Sequence, residues 1–142
     1  MDSYTPERVM NGTYGEVWFD DQYMAEVVAC KGEVDIDNQE VTQTGTRGTG
    51  YKFMGYKGTG ELKMNKISSF VIKKITEQLK QGKTPTATII SKLDDPDAYG
   101  SERVKFIGCT FNKLTIADWE AKKLTEETVP FNFQDYELID TI

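Results

Sequence analysis

Residues 66–85 read KISSFVIKKITEQLKQGKTP, the one stretch of this chain with a helical period. Ile67, Val71, Ile75 and Leu79 recur every four residues with Ile72 beside them, so a helix would gather them into one apolar stripe. Lys73, Lys74, Glu77 and Lys80 fall on other faces. Ser68 or Ser69 suits the N-cap, where a hydroxyl can accept from an otherwise unpaired backbone N–H. Lys80 suits the negative end of the helix dipole, Gly82 stands just past the end, and Pro85 forbids continuation. The spacing predicts a helix near residues 68–81.

Everything outward from it is patterned for strands. Upstream, Tyr14-Gly15-Glu16-Val17-Trp18-Phe19 is rich in strand formers, Asp20-Asp21-Gln22 is a short polar turn, and Tyr23 to Cys30 reads as the return strand. Over residues 33–44, Val34 and Ile36 alternate with Glu33, Asp35 and Asp37, a half-exposed strand with a solvated or partner-facing side. Downstream, Thr86 to Leu93 is β-branched, and Asp94-Asp95-Pro96-Asp97 opens a turn that Gly100 closes. Arg103 to Phe111 carries Val104 and Phe106 on one face and Ile107, Cys109 and Phe111 on the other, with Leu114 and Ile116 continuing it. Val129, Phe131 and Phe133 alternate near the end. Tyr136 and Leu138 follow out of phase, and Asp135 marks a bulge at the break. The expectation is a mainly β, single-domain chain spanning 1–142: a β-sandwich or small barrel of about seven or eight strands with one flanking α-helix.

Two segments stand outside that pattern. Residues 1–12 are polar, with Pro6, Asn11 and Gly12, and read as a flexible N-terminal arm. Residues 45–60 hold six glycines, at 45, 48, 50, 55, 58 and 60. Each glycine costs about 0.5–1 kcal/mol relative to alanine inside a regular element, which argues for a long glycine-rich loop. That loop carries Tyr51, Phe53, Met54 and Tyr56, which a plain linker would not, so it is expected to dock against something.

The composition narrows the function. The chain has no histidine, the commonest general base and metal ligand, so histidine-based triads are impossible. Cys30 and Cys109 form no CxxC pair and read as reduced thiols. The glycines at 45–50 lead into more loop rather than into a helix N-terminus, so they are not a phosphate cradle. Asp94, Asp95 and Asp97 lack calcium-loop spacing. No catalytic, cofactor or metal site is expected, and no apolar run is long enough to span a membrane. A net charge of −6 disfavours nucleic-acid phosphates as a binding target. That charge is uneven: residues 66–83 hold five lysines and one glutamate, while residues 118–142 hold seven acids and two lysines. Two copies presenting these regions to each other would attract head to tail.

Four stations carry a resemblance: Asn11-Gly12-Thr13-Tyr14-Gly15-Glu16, Gly55-Tyr56-Lys57-Gly58-Thr59-Gly60, Tyr99-Gly100-Ser101-Glu102-Arg103-Val104, and Val129-Pro130-Phe131-Asn132-Phe133. In this order and spacing the chain resembles, nearly end to end, the tail tube proteins of contractile-tailed phages, defective prophages and phage-tail-like bacteriocins of Gram-positive bacteria. The resemblance implies a fold similar to the type VI secretion tube protein, hexameric rings stacked into a hollow tube, and no enzyme activity. It implies a cytoplasmically made subunit of a virion tail or tail-like particle. Its partners would be other copies, the tail sheath, tape-measure and baseplate proteins, and DNA sliding through the lumen without specific binding. In that setting Arg47, Tyr51, Phe53, Met54 and Tyr56 are expected at a subunit interface, and Glu33, Asp35 and Asp37 facing the lumen. The alternatives are a type VI-like secretion tube subunit or a monomeric β-barrel that binds a small ligand.

Overall fold

Eight antiparallel strands and one α-helix make up the chain in a computed structural model that describes residues 3–142. The strands are β1 (Gly15–Phe19), β2 (Gln22–Tyr23), β3 (Val27–Val41), β4 (Gly50–Asn65), β5 (Thr86–Leu93), β6 (Glu102–Thr110), β7 (Glu126–Phe133) and β8 (Asp135–Asp140), and α1 spans Phe70–Lys80. Hydrogen bonding runs in the order β2-β1-β5-β6-β7-β4-β3, and β8 also pairs with β6.

The chain changes partner where the apolar phase breaks. Residues up to Phe133 pair with β4, whereas residues from Asp135 pair with β6, opposite Arg103 to Ile107. β7 itself pairs with β6 only at Thr110↔Asn132. This switch folds the sheet into two facing layers, as strand crossings do at sandwich corners. Phe106 on β6 meets Phe131 and Phe133 on β7 at ring distances of 5.6 and 4.9 Å. Leu62, Ile89 and Cys109 are fully buried between the layers. The bulge expected at Asp135 is this partner exchange.

The glycine-rich segment is a strand, not a loop. Residues 50–60 of the expected 45–60 loop belong to the 16-residue β4. The glycines there answer to packing rather than to flexibility. Gly58 faces Phe133, Gly60 faces Phe131, and Gly32 on β3 faces Phe106; a Cβ at Gly32 would sit 2.5 Å from the Phe106 ring. Gly32 and Gly60 are cross-strand partners. The sheet is therefore hollowed where three rings press against its backbone, a role of strand glycine that outweighs its low propensity.

The helix carries its expected stop. Gly82 takes φ +73, Gly82 N–H donates to Leu79 O, and Lys83 N–H donates to Gln78 O, which is the Schellman arrangement. Gly82→Ala will cost about 1 kcal/mol through its left-handed backbone, read as a lower urea midpoint at unchanged slope. At the start, Ser69 occupies the N-cap but makes no side-chain capping bond. Val71 and Ile75 are buried, while the stripe's ends, Ile67 and Leu79, are exposed. Phe70 sets its ring edge-on to Phe19, and Lys74 binds Asp20 at 2.7 Å.

Three further readings need correction. Asp20 and Asp21, both at positive φ, close a two-residue hairpin whose return strand is only Gln22–Tyr23, because β3 departs to pair with β4. In β6, Gly108 at φ +65 sits in a bulge that returns Cys109 to the core face it shares with Phe106, so the two do not point to opposite sides. Leu114 and Ile116 lie in the irregular segment 111–125 rather than in a strand. Of the expected N-terminal arm, residues 1 and 2 lie outside the described residues. Residues 3–12 run against the 95–99 turn: Arg8 lies 5.0 Å over the Tyr99 ring and Asn11 N–H donates to Asp95 Oδ2 at 2.8 Å.

Candidate assembly surfaces

β3 and β4 outgrow the body. β7 covers β4 only from Gly58 to Asn65, so Gly50 to Lys57 pair with β3 alone and project as a two-stranded ribbon. Residues 42–49 form its tip, and Arg47 stands there, exposed. An isolated ribbon is marginal in water, and this one exposes Ile36, Tyr51, Phe53 and Met54. The register sets Tyr56 opposite Ile36, Phe53 opposite Asn38 and Tyr51 opposite Glu40. A register shift between Asp37 and Asn38 leaves Met54 as the unpaired bulge residue. Because alternate residues share a face, the three aromatic rings lie along one side of the ribbon. Tyr56 is also tied to its own chain. Its O–H donates to Gln134 O at 3.0 Å, its ring meets Tyr136 edge-on, and desolvation and Asp135 raise the phenol pKa.

Glu33, Asp35 and Asp37 line the opposite side of β3, across from Thr59, Lys57 and Gly55. All three are exposed, and Glu33 pairs with Lys31 at 2.7 Å, a surface contact worth little to stability. β3 pairs on one side only, which leaves a 15-residue strand edge open among the described residues. β8 likewise pairs only with β6, and all six of its residues are exposed. Such edges normally invite another strand. A last exposed apolar group lies in segment 111–125, with Trp119 at 79% and Leu124 at 92% exposure.

The expected charge attraction between helix region and tail is partly spent within the chain. Lys66 binds Glu127 at 3.2 Å, and Lys63, just upstream of the basic stretch, takes Glu126 at 3.7 Å. No group of three or more potential metal ligands occurs among the described residues. The acidic turn is structural: Asp95 accepts from Asn11 N–H and from Asp97 N–H. Cys30 and Cys109 are free thiols. Burial raises both, Cys109 to about 12. Since the thiolate is the reactive form, Cys109 will resist iodoacetamide at pH 8 in the folded protein and react once urea unfolds it, as peptide mass mapping will show.

This chain, with strand edges and aromatics exposed, matches the family described as phage tail tube protein over residues 2–140. The chain belongs to the phage tail tube protein family. Among its relatives, the phage-like element PBSX protein XkdM of Bacillus subtilis (strain 168) is 30% identical over 134 residues, covering 93% of this chain and 91% of that protein. Solved structures share the tail tube fold. The anti-feeding prophage tube-terminating cap superposes with TM-score 0.73 at 11% identity, over 99% of this chain and 97% of that one. A PVC extracellular contractile injection system in its extended sheath–tube complex gives 0.71 at 8% identity, over 98% and 100%. The tail tube chain is thus a structural component of a phage tail or tail-like particle, from a family of structural proteins and not of enzymes. No helix among the described residues is long and apolar enough to cross a membrane.

Proposed function

We propose that this chain builds the inner tube of a contractile tail by stacking hexameric rings around a lumen that conducts DNA or ions. The observation that carries the reading is the projecting ribbon, which exposes Tyr51, Phe53 and Met54 and whose β3 edge has no strand partner among the described residues. Neighbouring copies supply that partner: open edges of β3 and β8 join around the ring, and the ribbon reaches an adjacent copy or ring. Arg47, Tyr51, Phe53, Met54 and Tyr56 then lie at subunit contacts. Glu33, Asp35 and Asp37 face the lumen, where like charge keeps passing DNA from sticking. A sheath surrounds the tube, a tape-measure protein occupies it during assembly, and a baseplate ends it.

Negative-stain microscopy and sedimentation across a concentration series test this. Hollow tubes or rings roughly 100 Å wide, the size of six small domains in a circle, are the expected result. A 16.1 kDa species that persists at every concentration and salt level contradicts it.

A further inference from the structure

β4 has different equipment at its two ends. Its Gly50 end adjoins the ribbon tip with Arg47; its Asn65 end adjoins a cavity of about 360 Å³. Sixteen residues separate them, roughly 50 Å at ~3.3 Å per residue. The cavity is lined by Lys66, Ile72, Asp118, Trp119, Glu126 and Glu127, among others. Its acids are incompletely answered. Lys63 takes Glu126 and Lys66 takes Glu127 Oε2, but Glu127 Oε1 has no hydrogen-bond partner although the residue is only 8% exposed. That oxygen is itself enclosed, so the acid within reach of an incoming cation must come from elsewhere on the lining. Asp118, also on the lining, makes no ion pair among the described residues, and Trp119 offers an exposed ring.

The chain has three arginines. Arg8 is held over Tyr99 and donates to Asp97 O, and Arg103 lies against Asp140. Arg47 alone makes no such contact among the described residues, and it sits between Gly45 and Gly48, which let a partner surface come close. A planar guanidinium suits both a carboxylate and an aromatic face. We propose that the cavity at the Asn65 end of β4 is a socket for the ribbon tip of a second copy, whose Arg47 binds Asp118 and stacks on Trp119. Tip and socket differ and lie at opposite ends, so the contact is head to tail and propagates as a stack. This rests on the tube reading and assigns it a register.

The test uses the full chain and two exposed positions that leave the fold intact. Arg47→Glu and Asp118→Arg will each raise the concentration needed for tube formation about tenfold or more, with monomer circular dichroism unchanged. The double variant will return it to within about threefold of wild type, because the charges are exchanged rather than lost. Arg47→Glu tubes growing at the wild-type concentration, Asp118→Arg tubes doing so, or a double variant no better than its worse parent would overturn the socket while leaving the tube reading in place. A wild-type chain that never assembles removes both.

Discussion

Gly60→Val will destabilise the monomer by about 3 kcal/mol or more, the upper end of what overpacking costs. The reason is that two neighbours block the new side chain and only one can yield. A Cβ at residue 60 overlaps the Phe131 ring, and it also lies 2.7 Å from the carbonyl oxygen of Lys31, which the β3–β4 ladder holds in place. Against a typical total stability of 5–15 kcal/mol this is a large loss, and it corresponds to a drop in Tm of roughly 10 °C in a chain of this size. Gly12→Ala is the control: nothing lies within 4 Å of its added methyl, so its melting point will stay within a degree or two of wild type. Gly60→Ala combined with Phe131→Leu will recover part of the Gly60→Ala loss, since the shorter side chain vacates the space. Calorimetry of the four proteins closes a double-mutant cycle, and strict additivity would show that Gly60 and Phe131 are not coupled.

Replacing Tyr51, Phe53 and Met54 together with serine will stop tube growth while leaving a folded monomer. All three are more than half exposed and touch little of their own chain, so the monomer loses only small increments of strand propensity. In an assembled interface the same side chains act as aromatic and thioether anchors, where single truncations cost about 2 kcal/mol or more. Three such losses in each subunit, repeated around every ring, raise the assembly threshold by orders of magnitude. Circular dichroism with negative-stain microscopy separates the two effects. Normal tubes from the triple variant would show that the ribbon aromatics lie outside the subunit contacts.

The helix was legible because its signals were local and agreed: period, glycine stop and Pro85 all act within about one helical turn. The partner exchange at Gln134 was legible as a phase break, because Phe133 and Tyr136 cannot share one alternation. β4 was misread because each glycine was weighed as a local breaker. Gly58 and Gly60 are spaced two apart, as are Phe131 and Phe133, and only pairing β4 with β7 shows that the second pair fills the space the first leaves. The phase of Cys109 was lost for a similar reason, since the bulge at Gly108 depends on a positive φ that glycine permits but does not announce. The aromatics at 51–56 were singled out from sequence as contact residues, but their alignment along a ribbon depends on register with β3, which pairs Tyr56 with Ile36, Phe53 with Asn38 and Tyr51 with Glu40 across the whole turn. The cavity beside Glu127 left no sequence signal, because it is assembled from Lys66 just past β4, Ile72 on the helix and residues between 115 and 128.

The proposed tube requires that other copies of this chain close its open edges and its ribbon. Backbone hydrogen exchange, compared between monomer and assembled protein, reads it directly. Amides in residues 27–41, 50–57 and 135–140 will exchange fast in the monomer and gain at least about tenfold protection on assembly, while core amides around Leu62 and Ile89 change little. Assemblies in which those three segments exchange as fast as in the monomer would contradict it.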